Sequence, residues 1–441
     1  MLVHSCIEGS SVVKLVESIE QGIRNGDLAA GGKLPAIRLL AIELKVSPAT
    51  ISGAYRRLQE RGFIVSRGRG GTVVSARPPV LVETPLPVGD DVVDLATGNP
   101  DPKLLPKLAP ALASVRRSQR LYDEAPCLPA LVELGVAAYR NDGINADRVC
   151  VVNGSLDGIE RALSECLYPG DRVAVEDPCF NGVLDLVRAR GLVPVPVGMD
   201  QDGILPEALI QAMKLKPKAL IVTPRAQNPT GAAFTSARVE SLRSLLNETP
   251  SLFVIEDDYF GELSGVPYYG LCDGARQRWT VVRSLCKSMG PDLRIALLAG
   301  DDQTLSSIQG RQVIGIRWVS HILQDLAVHF LCDSETSRRL ERAENVYRQR
   351  REALVGSLRD LEVEALGQSG FNVWIPVSEE AGVTQNLHRA GWLVTPGERY
   401  RIQSPPAIRV TTSSLLESKA ASVAVAIRDA IRRSPIRGGA V

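Results

Sequence analysis

The hydrophobic period of this chain changes once, across Arg77–Asp90, and the change dictates what can fold on either side. That segment carries Pro78, Pro79, Pro85 and Pro87 and no helical repeat. It reads as a semi-extended linker, residues 77–90, able to span at most about 45–50 Å. Ahead of it come three amphipathic stretches. The first puts Val12, Leu15, Val16, Ile19 and Ile23 on one face and ends near Asn25-Gly26. The second carries Leu34, Ile37, Ala41 and Leu44, with Pro35 expected in its first turn. The third carries Ile51, Ala54, Tyr55 and Leu58, with Ser47 as helix cap, Pro48 at the first helical position and Gly62 at the end. Two β-type runs, Phe63–Ser66 and Thr72–Ser75, then flank Arg67-Gly68-Arg69-Gly70-Gly71. Helix, helix, tight turn, helix, β-hairpin over residues 10–76 is the plan of a winged helix-turn-helix.

Beyond the linker, short apolar runs alternate with helical stretches over residues 91–433. Val149–Val152, Arg172–Glu176, Ala219–Thr223, Leu252–Glu256, Thr280–Arg283 and Ile295–Ala299 read as buried strands, the signature of an α/β fold with a mostly parallel central sheet. From about Ser334 a long charged helix leads into a small C-terminal α+β subdomain. Residues 434–441 are expected to form a disordered tail. With 441 residues, 44% apolar and 23% charged, the chain suits two or three soluble domains. No apolar run is long enough to cross a bilayer, so a cytoplasmic location is expected. Its eight cysteines include no C-x-x-C pair, which speaks against a zinc site or a disulfide framework. Residues 1–78 carry a net charge of +5 and the remainder −4, which suits a nucleic-acid-reading head on a mildly acidic body.

The body contains a set of segments that carry chemistry. Arg283-Ser284-Leu-Cys-Lys287-Ser-Met-Gly-Pro-Asp-Leu-Arg294 sets a lysine between a serine three residues before it and an arginine seven after. Asn153-Gly154-Ser155 follows a strand and opens a helix, where free N–H groups suit a phosphate. Glu176-Asp-Pro-Cys-Phe180, Thr223-Pro-Arg-Ala-Gln-Asn228-Pro-Thr-Gly231, Ile255-Glu-Asp257-Asp258-Tyr259 and Ile408-Arg409-Val-Thr follow in order. From about Asp94 to Arg409 this series resembles the fold-type I aminotransferases. The resemblance implies pyridoxal 5′-phosphate, held as an internal aldimine on Lys287 as the catalytic residue. It implies a phosphate cup of Gly154, Ser155, Ser284 and Arg294, with Phe180 stacked on the ring and Asn228 and Tyr259 at its oxygen. Asp257 would pair with the ring nitrogen; it is preferred to Asp258 because strand alternation puts it on the same face as Tyr259. Arg409 would grip a substrate carboxylate. Tyr122 would reach the phosphate of the opposite subunit, which makes a homodimer the expected state. Cys286, beside the lysine, and His321, in an apolar helical stretch, are read as packing residues.

The head, from Val12 to Ser75, resembles the GntR-type winged helix. The resemblance implies DNA contacts through Arg38, Ser47, Thr50, Arg56, Arg67, Arg69 and Gly71 to a double-stranded operator. Together the two parts are similar to the MocR-type regulators. Asn99-Pro-Asp-Pro, Gly290-Pro-Asp-Leu-Arg294 and Trp318-Val-Ser-His resemble a subgroup tied to vitamin B6 salvage. The expected function is a transcriptional regulator that couples the cofactor, or an amino-acid adduct of it, to operator binding. Two alternatives stay open: a working aminotransferase that regulates itself, and a cofactor reservoir. No metal is expected.

Overall fold

The computed structural model describes residues 7–25, 27–29, 31–60, 63–66, 71–74, 92–115, 120–273 and 276–434. They fall into two compact units divided between Pro87 and Val88. The linker at 77–90, the helix end at Gly62 and the tail beyond Ser434 lie outside the described residues.

In the first unit, helices α1 (Val12–Asn25), α2 (Ile37–Glu43) and α3 (Pro48–Glu60) precede a two-stranded antiparallel ribbon of β1 (Ile64–Ser66) and β2 (Thr72–Val74). Leu15, Val16 and Ile19 of α1 pack with Ile51, Ala54, Tyr55 and Leu58 of α3 and with Leu40 and Ala41 of α2. Helix α2 begins after Pro35, not around it, with Ala36 at its N-cap. The preceding segment is held extended instead. Gly31 N–H donates to Val74 O at 2.9 Å and Leu34 N–H to Thr72 O at 2.9 Å. The Tyr55 hydroxyl then donates to Pro35 O at 2.8 Å, tying α3 to the entry of α2.

The second unit is built on an eight-stranded sheet. Its short first strand, β3 (Val93–Asp94), lies apart from that sheet. The sheet's own strands are β4 (Cys150–Val152), β5 (Arg172–Asp177), β6 (Val193–Asp200), β7 (Gly203–Ile204), β8 (Ala219–Val222), β9 (Phe253–Asp258), β10 (Trp279–Ser284) and β11 (Ala296–Gly300). Their order is β4-β11-β10-β9-β8-β5-β6-β7. All neighbours are parallel except β11, which runs against both β10 and β4, and β7, which turns back on β6. All six strands expected from the apolar runs are present. The strand at 193–200 was not foreseen, because Pro194 and Pro196 break the usual signal.

Helices cover both faces, as a parallel sheet requires. They include α4 (Leu108–Ser114), α5 (Pro129–Asn141), α6 (Ser155–Cys166), α7 (Asn181–Ala189), α8 (Pro206–Met213) and α9 (Ser236–Asn247). After these come α10 (Cys286–Met289), α11 (Asp302–Ile314), α12 (His321–Cys332) and α13 (Ser334–Asp360). Alternation along the strands sends Val254, Val281 and Leu297 to one core and Phe253, Ile255, Val282 and Leu298 to the other. A third core lies in the C-terminal subdomain. There β12 (Asn372–Pro376), β13 (Trp392–Leu393), β14 (Thr395–Pro396) and β15 (Ala407–Thr411) combine with α14 (Glu380–Arg389) and α15 (Ala420–Arg433). Strand β3 pairs with β13, so the start of the body is woven into its C-terminal part. Asp177, at the end of β5, ties the two parts again, accepting from the backbone N–H of Ile402, Gln403 and Ser404 at 2.7–2.9 Å.

The seven described cysteines are free. Among the described residues no cluster could hold a metal, and no helix is long and apolar enough to cross a membrane.

Candidate functional site

Parallel strands in register deliver their C-terminal ends, and the loops that follow, to one edge of the sheet. That edge collects the motifs of the body. Strand β10 pairs with β9 so that Val282 stands opposite Asp257, and Ser284 and Lys287 follow just beyond. The Lys287 ammonium donates to Gly98 O and lies 5.6 Å from the centre of the Phe371 ring. Burial, reinforced by the guanidinium charges of Arg409 and Arg294, pushes its pKa down to about 8. A lysine so placed gives up its proton readily and becomes a nucleophile.

Asp257 shows the opposite perturbation. It is 4% exposed, and its Oδ1 has no hydrogen-bond partner among the described residues. Burial raises its pKa to about 7, with Ser155 pulling the other way. A buried carboxylate oxygen with nothing to bond asks for a cationic or N–H partner. Its neighbour Asp258 faces the other side of the sheet. There it accepts from Arg225 at 2.8 and 2.9 Å and from Arg283 Nε at 2.6 Å, and Arg283 also reaches Asp142 at 2.6 Å. Burial alone would raise the Asp258 pKa, but the two guanidinium groups hold it at about 2. Arg225 lies in the loop that carries Asn228, and Arg283 immediately precedes Ser284. This ion cluster therefore fastens three site-bearing segments from behind. It was not foreseen in the sequence, because its members are distant in the chain and each alone looks like a surface charge.

The start of α6 meets the Arg294 side chain. Gly154 caps the helix at φ 90°, and a Cβ there would come within 2.9 Å of Arg294 Nη2. Arg294 itself has a left-handed backbone, at φ 48°. Ser284 Oγ accepts from Cys286 N–H at 3.1 Å. Phe180 is half-buried and is held by Gly182, where a Cβ would meet its ring at 2.6 Å. The Tyr259 hydroxyl donates to Ala226 O at 2.7 Å, so its proton is already committed to the backbone.

Arg409 projects from β15 of the C-terminal subdomain. Its Nη1 donates to Asn228 Oδ1 at 3.1 Å, and its Nη2 bonds Ala96 O and Thr395 Oγ1. Its Nε is buried with no partner among the described residues, and the guanidinium lies 5.0 Å from the centre of the Tyr400 ring. Among the described residues the Asn228 amide Nδ2 makes no hydrogen bond. Tyr122 stands apart from this cluster, 79% exposed and packed near Trp318 and Arg317. Cys286 is buried, and the His321 ring bonds Ala125 O at 2.9 Å as a core side chain. The Gly98 carbonyl, a backbone group without a side-chain signature, is another part of the site that sequence could not reveal.

In the first unit, Ser47 Oγ accepts from Thr50 N–H at 3.1 Å and so caps α3, and the Thr50 hydroxyl pairs with it at 2.8 Å. Arg38 and Arg56 are exposed on their helices. Gly71 has φ 84°, and a Cβ there would strike the Lys33 side chain at 2.8 Å. Arg67 and Arg69 lie outside the described residues.

Residues 90–427 match the family described as aminotransferase class I and II, and residues 12–74 match the bacterial regulatory proteins of the gntR family. The chain is 38% identical over 435 residues to the vitamin B6 salvage pathway transcriptional repressor PtsJ of Salmonella typhimurium, covering 97% of this chain and 100% of that protein. It is 26% identical over 363 residues to the HTH-type pyridoxine biosynthesis transcriptional regulator PdxR of Corynebacterium glutamicum, 79% of each chain. In fold it resembles the kynurenine aminotransferase of Pyrococcus horikoshii, with a TM-score of 0.71 at 21% identity over 78% of this chain and 91% of that one.

Two predictions follow from the opposed pKa shifts. In the cofactor-free chain, amine-selective labelling of Lys287 rises with a midpoint near pH 8, whereas an ordinary lysine titrates near about 10.4. Labelling read by peptide mass spectrometry checks this, and an ordinary midpoint refutes it. The raised Asp257 pKa means that cofactor-free stability falls as pH climbs from about 4 to about 7. Asp257→Asn should therefore stabilise that form at pH 8, by about 1–3 kcal/mol, and change little at pH 3. Denaturant melts at the two pH values measure the difference.

Proposed function

This chain belongs to the class I and II aminotransferase family and carries a regulatory head of the gntR family, and from that premise we propose that it is a DNA-binding transcriptional regulator of vitamin B6 metabolism, governed by pyridoxal 5′-phosphate. When bound, that cofactor supplies an aldehyde open to a lysine amine and a pyridine ring able to act as an electron sink. The observation that carries the reading is Asp257. Its unpartnered buried oxygen is what a protonated ring nitrogen would satisfy, and its charge would keep that proton in place.

The other residues complete the fit. Lys287, its proton already loosened by burial, holds the aldehyde end. Gly154, Ser155, Ser284 and Arg294 take the phosphate, with the α6 dipole behind them. Phe180 covers the ring, and Asn228 donates its free amide protons to the ring oxygen. Tyr259 stands at that oxygen too, its hydroxyl anchored by its bond to Ala226 O. Arg409, already bonded to Asn228, is positioned to take the carboxylate of an amino-acid effector and to pass that occupancy to the cofactor side of the site.

The regulator works as a cytoplasmic homodimer in this reading. Leu112, Leu121, Tyr122, Ile314, Ile316 and Ile322 are all exposed in the single chain, which is more large apolar surface than a lone body needs. A second copy covers it and brings Tyr122 to the phosphate of its partner. In the head, Arg38, Arg56, Arg67 and Arg69 contact the DNA backbone, while Ser47, Thr50 and Gly71 shape the ends of the elements that approach it. Because Lys287, Asp257 and Arg409 are all present, a partial transamination remains compatible with this role.

Operator fragments selected from random DNA test the proposal. Wild-type affinity for them should change about 5–150-fold on adding pyridoxal phosphate, in line with ordinary allosteric coupling. Lys287→Ala should bind the same fragments without that change. A cofactor response that survives in the variant would overturn the proposal, as would selection of no preferred sequence.

A further inference from the structure

The first half of α13 and the loop that follows β3 line a half-open cavity of about 510 Å³ with an unusual charge. Lys103, Arg338, Arg339, Arg342 and Arg350 line it, against only two carboxylates, Asp101 and Glu335. Both carboxylates are spoken for. Arg350 donates to Asp101 Oδ2 at 2.9 Å, and Arg339 lies 3.4 Å from Glu335. The side chains of Lys103, Arg338 and Arg342 have no ion pair or hydrogen bond among the described residues. Arg338 and Arg342 stand one helical turn apart, so their charges project side by side and repel each other unless an anion joins them. The base of the cavity is firm. The Asp101 side chain is 8% exposed and that of Arg350 is 13% exposed, and Arg350 also bonds Ser413 O. Leu104 and Val346 add an apolar patch.

We propose that this cavity binds a small phosphate-bearing anion, at a site separate from the cofactor cup. Guanidinium groups match phosphate oxygens through paired charge-assisted hydrogen bonds, and the volume suits a compact molecule with one apolar side. The position suggests what binding does. The loop Gly98–Leu104 contributes Asp101 and Lys103 to the cavity and, through the Gly98 carbonyl, the hydrogen bond to Lys287. An anion here therefore acts on the segment that holds the reactive lysine.

The test is calorimetric titration with inorganic pyrophosphate of the full chain carrying Arg294→Ala, which disables the cofactor cup and alters an exposed side chain. One pyrophosphate per chain should bind. Adding Arg338→Ala and Arg342→Ala, two exposed helix positions where alanine is well tolerated, should weaken binding at least about tenfold. Thermal melts of each variant establish that the fold persists. Equal binding with and without the two arginines overturns the proposal, and so does the absence of saturable binding in the Arg294→Ala chain. Neither result bears on the cofactor reading, since binding is measured with the cup already disabled.

Discussion

At the end of β9 two adjacent carboxylates point to opposite faces of the sheet and meet opposite fates. Asp258 is clamped by Arg225 and Arg283 and stays ionised, while Asp257 is buried with one oxygen unpaired. The clamp is costly to bury, but it joins the loop of Asn228, the end of β9 and the approach to Ser284 into one rigid frame. Asp257, Asn228 and Lys287 can keep their relative positions only if that frame holds. The oxygen of Asp257 without a partner among the described residues is a local instability, of the kind found where a protein departs from its own packing rules at a functional site.

Much of this was legible in the sequence. Buried parallel strands leave apolar runs, and each of the six expected runs became a strand of the central sheet. Lys287, with a serine three residues before it and an arginine seven after, stood out because its segment and the motifs that accompany it resemble those of the aminotransferases. Strand alternation alone separated Asp257 from Asp258. What escaped has physical reasons. Pro194 and Pro196 disguise β6 as a loop. Pro35 resembles a first-turn proline, but tertiary hydrogen bonds from Gly31 and Leu34 keep its segment extended. The bond from the Tyr259 hydroxyl to the Ala226 carbonyl likewise left no mark in the sequence. The contribution of Gly98 is a carbonyl, and no side-chain pattern marks a carbonyl.

The division of labour between the units follows from their chemistry. The body gathers charge-perturbed groups at one sheet edge and draws Arg409 into them from the C-terminal subdomain. Arg409 therefore links the two parts of the body through its bonds to Asn228 and Ala96. The head is a small helical core with α3 capped by Ser47 and with exposed arginines, which suits rigid docking on a duplex. A regulator of this design needs no catalytic turnover, only a difference in DNA affinity between the loaded and the empty body.

That difference must be reciprocal, and the most direct measurement exploits it. Pyridoxal phosphate is titrated into the full chain twice, once free and once saturated with its selected operator. If cofactor and DNA sites are coupled, the cofactor affinity changes on DNA by the same factor by which the cofactor changes operator affinity. Identical cofactor affinities with and without operator would contradict the account, leaving two functional units that share a chain without informing each other.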